Sequence, residues 1–88
     1  MAYSGWKNYQ TWNISLWINN DEPLYRAAVE FMKKYNERNL NKNMKGKAPY
    51  AAFIRSQGMT QDKTPDGVKY ISTRISYKEL NKMMLELV

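Results

Sequence analysis

Apolar residues recur along most of this chain with the three- and four-residue spacing of helices. The clearest stretch is Leu24, Ala28, Phe31, Met32 and Tyr35, which predicts a helix running to about Arg38. Asn20 or Asp21 can cap it, and Glu22 and Pro23 suit its first turn. Further on, Pro49 opens a short helix through Tyr50, Ala51, Ala52, Phe53 and Ile54, and Gly58 ends it. Ser76 and Glu79 form a Ser-x-x-Glu capping box ahead of Leu80, Met83, Met84 and Leu87, a last helix expected to reach the C-terminus.

Between Thr11 and Ile18 two periods compete. Apolar residues at Trp12, Ile14, Leu16 and Ile18 alternate as in a strand. On a helical wheel Trp12 and Leu16 share one face, Trp17, Ile14 and Ile18 cover a second, and Asn13 falls between them. That describes a helix buried on two sides, with Asn8 as its cap. Helix is the reading adopted, and an α+β fold with 11–18 as a strand is the alternative. Thr64-Pro65-Asp66-Gly67 is a turn signal, followed by a short extended segment near 68–72. The expected fold is therefore all-α or mostly α, with about four short helices in one bundle. The chain reads as a single domain over 1–88, with an arm at 1–7 in which Trp6 docks and a basic loop at 39–47.

Composition narrows the chemistry. The 88 residues hold no cysteine and no histidine, which removes disulfides, a Cys nucleophile, a Ser-His-Asp triad and the usual nitrogen-and-sulfur zinc site. Fourteen Lys and Arg against eight Asp and Glu leave a charge of +6. Most of it is local, since Lys33, Lys34, Arg38, Lys42, Lys45 and Lys47 face only Glu37 between 33 and 47. These six are the candidate contacts for nucleic acid or another anion, with Tyr35 and Tyr50 as stacking partners to be weighed against roles in the core. Ten Lys and nine Asn also match what AT-rich coding yields without any anionic partner.

On the second helix, Glu22 with Arg26 and Glu30 with Lys34 stand acid-first at i, i+4, the favourable order. The carboxylate pairs Asp21 with Glu22 and Asp62 with Asp66 sit where caps and turns use acids, so no catalytic residue is assigned. No cofactor or metal ligand is assigned either. Trp12, Asn13, Leu16 and Trp17 are candidate structural or interface residues. Asn13, lying between two apolar faces, must have its amide hydrogen-bonded and is expected to anchor a neighbouring helix end.

The string Tyr9-x-Thr11-Trp12-Asn13-x-x-Leu16-Trp17-x-x-Asn20-Asp21, continued by Leu24-Tyr25, resembles a motif in small proteins encoded by bacteriophages, marine cyanophages among them, and by some bacterial genomes. Thr64-Pro65-Asp66-Gly67-Val68 with the final helix is similar to their second shared block. The resemblance covers 9–25 and 64–87 and leaves out the lysine-rich middle. It implies a compact, mostly helical domain and assigns no activity to any residue.

The expected function is that of a small non-enzymatic phage accessory protein that binds a host or phage macromolecule, a protein in the first reading. The alternative is a basic nucleic-acid-binding module built on the Lys33–Lys47 segment. The third reading is a small hydrolase-like enzyme built on carboxylates, and the partners weighed include a second copy of the chain in a homo-oligomer. No membrane span or leader is expected, and the expected location is the cytoplasm, the host's if the origin is a phage.

Overall fold

A computed structural model describes residues 5–38 and 48–87. It contains α1 (Tyr9–Asn20), α2 (Glu22–Arg38), α3 (Pro49–Ser56) and α4 (Tyr77–Leu85). α1 packs on α2 and α4, and α3 lies against α2 and α4. The result is a small all-α bundle. The basic loop at 39–47 and the start of the arm lie outside the described residues, while Trp6 does dock, half-buried against the core.

Capping explains why each helix begins where it does. Asn8 has extended backbone, and its Oδ1 accepts hydrogen bonds from the Thr11 N–H at 2.9 Å and the Thr11 hydroxyl at 2.7 Å. Asp21 alone joins α1 to α2. Its N–H closes α1 on the Trp17 carbonyl at 3.0 Å, its carbonyl accepts from the Tyr25 N–H at 2.8 Å, and its carboxylate accepts from the Leu24 N–H at 3.3 Å. Asp21, and not Asn20, is thus the cap of α2.

The 11–18 segment is helical, and the strand alternative is overturned. Residues two apart on a helix lie about 200° apart, whereas residues four apart share a side, so alternating apolar positions build two opposite faces on one helix. Only one of those faces is buried. Ile14 and Ile18 are fully enclosed with Thr11 and Ser15, whereas Trp12, Leu16 and Trp17 are half-buried and lie outside the core cluster. The expectation of burial on two sides is corrected accordingly.

The rest of the core comes from Ala28 and Met32 on α2, from Tyr50, Phe53 and Ile54 on α3, from Leu80 and Met84 on α4, and from Val68, Tyr70 and Ile75 of the α3–α4 connection. Phe31 reaches across to Phe53 with ring centroids 5.5 Å apart. Tyr50, weighed as a stacking surface, is a core residue: it is fully buried and its hydroxyl donates to the Tyr70 carbonyl at 2.6 Å. Tyr35 packs at the edge of the same cluster.

Helix α3 ends in a complete Schellman arrangement. Gly58 has φ +68, its N–H donates to the Arg55 carbonyl at 3.1 Å, and the next N–H, of Met59, donates to the Ile54 carbonyl at 3.0 Å. The following turn closes with the Gly67 N–H on the Thr64 carbonyl at 2.8 Å, again with positive φ at the glycine. Beyond it the extended segment expected near 68–72 reduces to one antiparallel bridge, Lys69 with Lys63, and no strand forms among the described residues.

The capping box at the start of α4 is half used. Ser76 Oγ accepts from the Glu79 N–H at 3.3 Å, but the Glu79 carboxylate does not return to Ser76. It accepts from the Lys7 N–H at 2.7 Å instead, and the Ser76 N–H donates to the Thr11 hydroxyl at 2.9 Å. One charged side chain therefore ties the N-terminal arm to α4.

Candidate functional site

Asn13 and Trp17 stand four residues apart and project from the same side of α1. The Thr64–Gly67 turn lies over them and supplies the groups they need. The Asp66 carboxylate Oδ2 accepts from Asn13 Nδ2 at 2.8 Å and from the Trp17 indole N–H at 2.8 Å. In return the Thr64 hydroxyl donates to Asn13 Oδ1 at 2.7 Å. That hydroxyl also accepts from the N–H groups of Asp66 and Val68, both at 3.2 Å. Asn13 completes its second N–H on the Tyr9 hydroxyl at 3.4 Å.

Asn13 and Thr64 are only 1% and 3% exposed, and both have their polar atoms satisfied, as burial requires. Asn13 is therefore a polar anchor, as expected, but it holds the 64–67 turn and not a helix end. Asp66 is solvent-exposed, and the bonds from Asn13 and then Trp17 hold its carboxyl below the ordinary carboxylate range. A carboxylate tuned this way keeps its charge and serves as an acceptor; a general acid needs the opposite shift. The other acids weighed for chemistry sit in local roles, with Asp21 capping and Glu22 paired to Arg26. Asp62 lends its backbone carbonyl to the Tyr70 N–H at 3.2 Å. Among the described residues no three His, Cys, Asp or Glu side chains converge in a way that could hold a metal ion.

The side of α1 that faces away from Ile14 and Ile18, next to the clamp, is different. Tyr9 is 37% exposed and its ring lies 5.8 Å from that of Trp12, centroid to centroid. Leu16 continues the same side one turn further on, also half-exposed. Apolar surface thus faces outward from a helix whose other side already fills the core.

Of the basic candidates, Lys33 and Lys34 are exposed on α2. Lys33 lies 3.8 Å from the Glu30 carboxylate at i, i+3, which replaces the expected Glu30–Lys34 pair. The side chain of Arg38, the last residue of α2, and the residues Lys42, Lys45 and Lys47 lie outside the described residues.

Thr64 and Asp66, expected to serve only a local turn, are the partners of Asn13 and Trp17. A buried Asn and an indole on one helix side need an acceptor, and the proline turn with its acid was the available one.

Fold and site together define a small helical domain in which a tryptophan-bearing helix is clamped by an acidic proline turn. The chain belongs to a family of unknown function (DUF7249), whose model matches residues 1–88 and so includes the lysine-rich stretch. No curated protein and no solved structure matches it.

Proposed function

We propose that this protein acts by binding another protein through the outward side of α1, with Tyr9, Trp12 and Leu16 as the contact. The observation that carries this reading is the two-sided character of α1: Ile14 and Ile18 are spent on the core, and a second apolar side remains half-open. Aromatic residues are enriched in the centres of protein interfaces, where their area is large and their side-chain entropy small. The Asp66 clamp supports the reading by fixing the pitch and roll of α1 against the bundle, which presents those side chains on a rigid element. Such a module works without catalysis, by covering or redirecting its partner. The resemblance of the Tyr9–Tyr25 string to phage-encoded proteins extends the proposal to a phage accessory protein acting in the host cytoplasm.

A photo-reactive phenylalanine analogue placed at Leu16 tests it. One discrete protein adduct is expected, competed away by the unmodified chain but not by a Trp12→Glu variant, with none from the same probe at exposed Arg55. Equal adduct yields at both positions, or full competition by a Trp12→Glu variant that melts like the parent, would refute it.

A further inference from the structure

The turn that carries Asp66 also borders an open cleft of about 460 Å³. That volume falls within the range of small-molecule sites. Its polar lining is Gln10 from the first turn of α1, Lys69, and the run Ser72, Thr73 and Arg74. Every one of these side chains can donate a hydrogen bond, two are cationic, and no carboxylate lines the cleft among the described residues.

Lys69 and Arg74 are exposed, and the ion pairs among the described residues are Glu22 with Arg26 and Glu30 with Lys33. Neither cleft cation is neutralised by a carboxylate there. Both stand on anchored backbone. Lys69 is flanked by buried Val68 and Tyr70 in extended chain, so its own side chain points away from the core. The bonds from the Thr64 N–H to the Val68 carbonyl at 2.8 Å and from the Tyr70 N–H to the Asp62 carbonyl at 3.2 Å hold it there. At Arg74 the carbonyl accepts from Asn8 Nδ2 at 2.7 Å, and the N–H donates to Ser72 Oγ at 3.2 Å. The nearby acid, Asp66, is turned to Asn13 and Trp17 and does not line the cleft.

We infer that this cleft binds a phosphate group, carried either by a nucleotide or by a nucleic-acid strand. Arginine offers a planar fork to two phosphate oxygens, lysine adds a point charge, and the two hydroxyls and the amide can donate to the remaining oxygens. The site uses none of the six basic residues between 33 and 47, and it does not depend on the protein contact proposed for α1.

Amide and side-chain NMR shifts, followed separately with inorganic phosphate, a nucleoside monophosphate and a twelve-residue oligothymidylate, test it. Saturable shifts confined to Gln10 and residues 67–74 are expected. In a Lys69→Gln/Arg74→Gln variant the affinity should fall roughly tenfold or more, while Lys33→Gln/Lys34→Gln, which removes the same charge, should change it little. Tighter binding of the oligonucleotide at the same amides, with an affinity that falls steeply with salt, identifies a strand as the source. Binding of the nucleotide without the oligonucleotide identifies a small ligand. Absence of shifts at 67–74 with all three probes, or equal losses in the two double variants, overturns the inference.

Discussion

Replacing Thr64 by valine probes the clamp that joins α1 to the 64–67 turn. The side chain keeps its shape and its burial, and only the hydroxyl is lost. That hydroxyl donates to Asn13 Oδ1 at 2.7 Å and accepts from the N–H groups of Asp66 and Val68 at 3.2 Å. Asn13 is 1% exposed and Val68 is 8% exposed, so water cannot readily take over at the amide oxygen or at the Val68 N–H. Leaving one buried polar group without a partner costs about 1–3 kcal/mol. With two such groups affected and some relaxation, a loss of about 2–3 kcal/mol is expected. For a chain of this size that lowers the melting temperature by roughly 8–20 °C.

Thr64→Ser is the informative counterpart, because it keeps the hydroxyl and removes a buried methyl worth about 1 kcal/mol. The order expected by thermal and urea unfolding is therefore parent, then Thr64→Ser, then Thr64→Val. An Asn13→Ala/Thr64→Val cycle should show a coupling of about 1 kcal/mol or more, since each partner strands the other. A Thr64→Val protein more stable than Thr64→Ser, or additive losses in the cycle, would show that packing and not hydrogen bonding holds the turn on α1.

Two further outcomes follow from the same structure. The Asp66 carboxyl titrates below its ordinary value of 3.8, so its contribution is fully present above that value and disappears as pH falls through the lower folded-state value. The Trp17 indole N–H resonance should report that low titration, and Asp66→Asn should flatten the acid limb of stability against pH; an unchanged limb would count against the clamp. At Gly58, φ is +68 and no heavy atom lies within 4 Å of where a Cβ would sit, so Gly58→Ala meets backbone strain without a clash. It should cost about 1 kcal/mol by denaturant unfolding, with Gly58→Asn costing less.

Periodicity gives α2 and α4, because Leu24 to Tyr35 and Leu80 to Met84 place their apolar groups on one helix side, and Pro49 with Gly58 frames α3 around the apolar run from Tyr50 to Ile54. The caps at Asn8 and Ser76 and the stop at Gly58 were equally legible, since they depend on groups within a few residues of one another. Asn13 could be read as a buried polar group in need of partners, but the partners could not be named. Thr64 and Asp66 sit about fifty residues away, and several turns and caps in the chain offer polar groups of the same kind.

The tertiary structure alone decided which side of α1 is inside. The pattern at 12, 14, 16 and 18 makes two apolar sides, and nothing local distinguishes them. The choice belongs to what α2, α4 and the α3–α4 connection bring against the helix, and they enclose Ile14 and Ile18. Likewise the density of basic residues along the chain singled out 33–47, whereas Lys69 and Arg74 become a paired cationic lining only when the connection folds back over the first turn of α1. Charges separated by chain act together through space, so their grouping is a property of the fold.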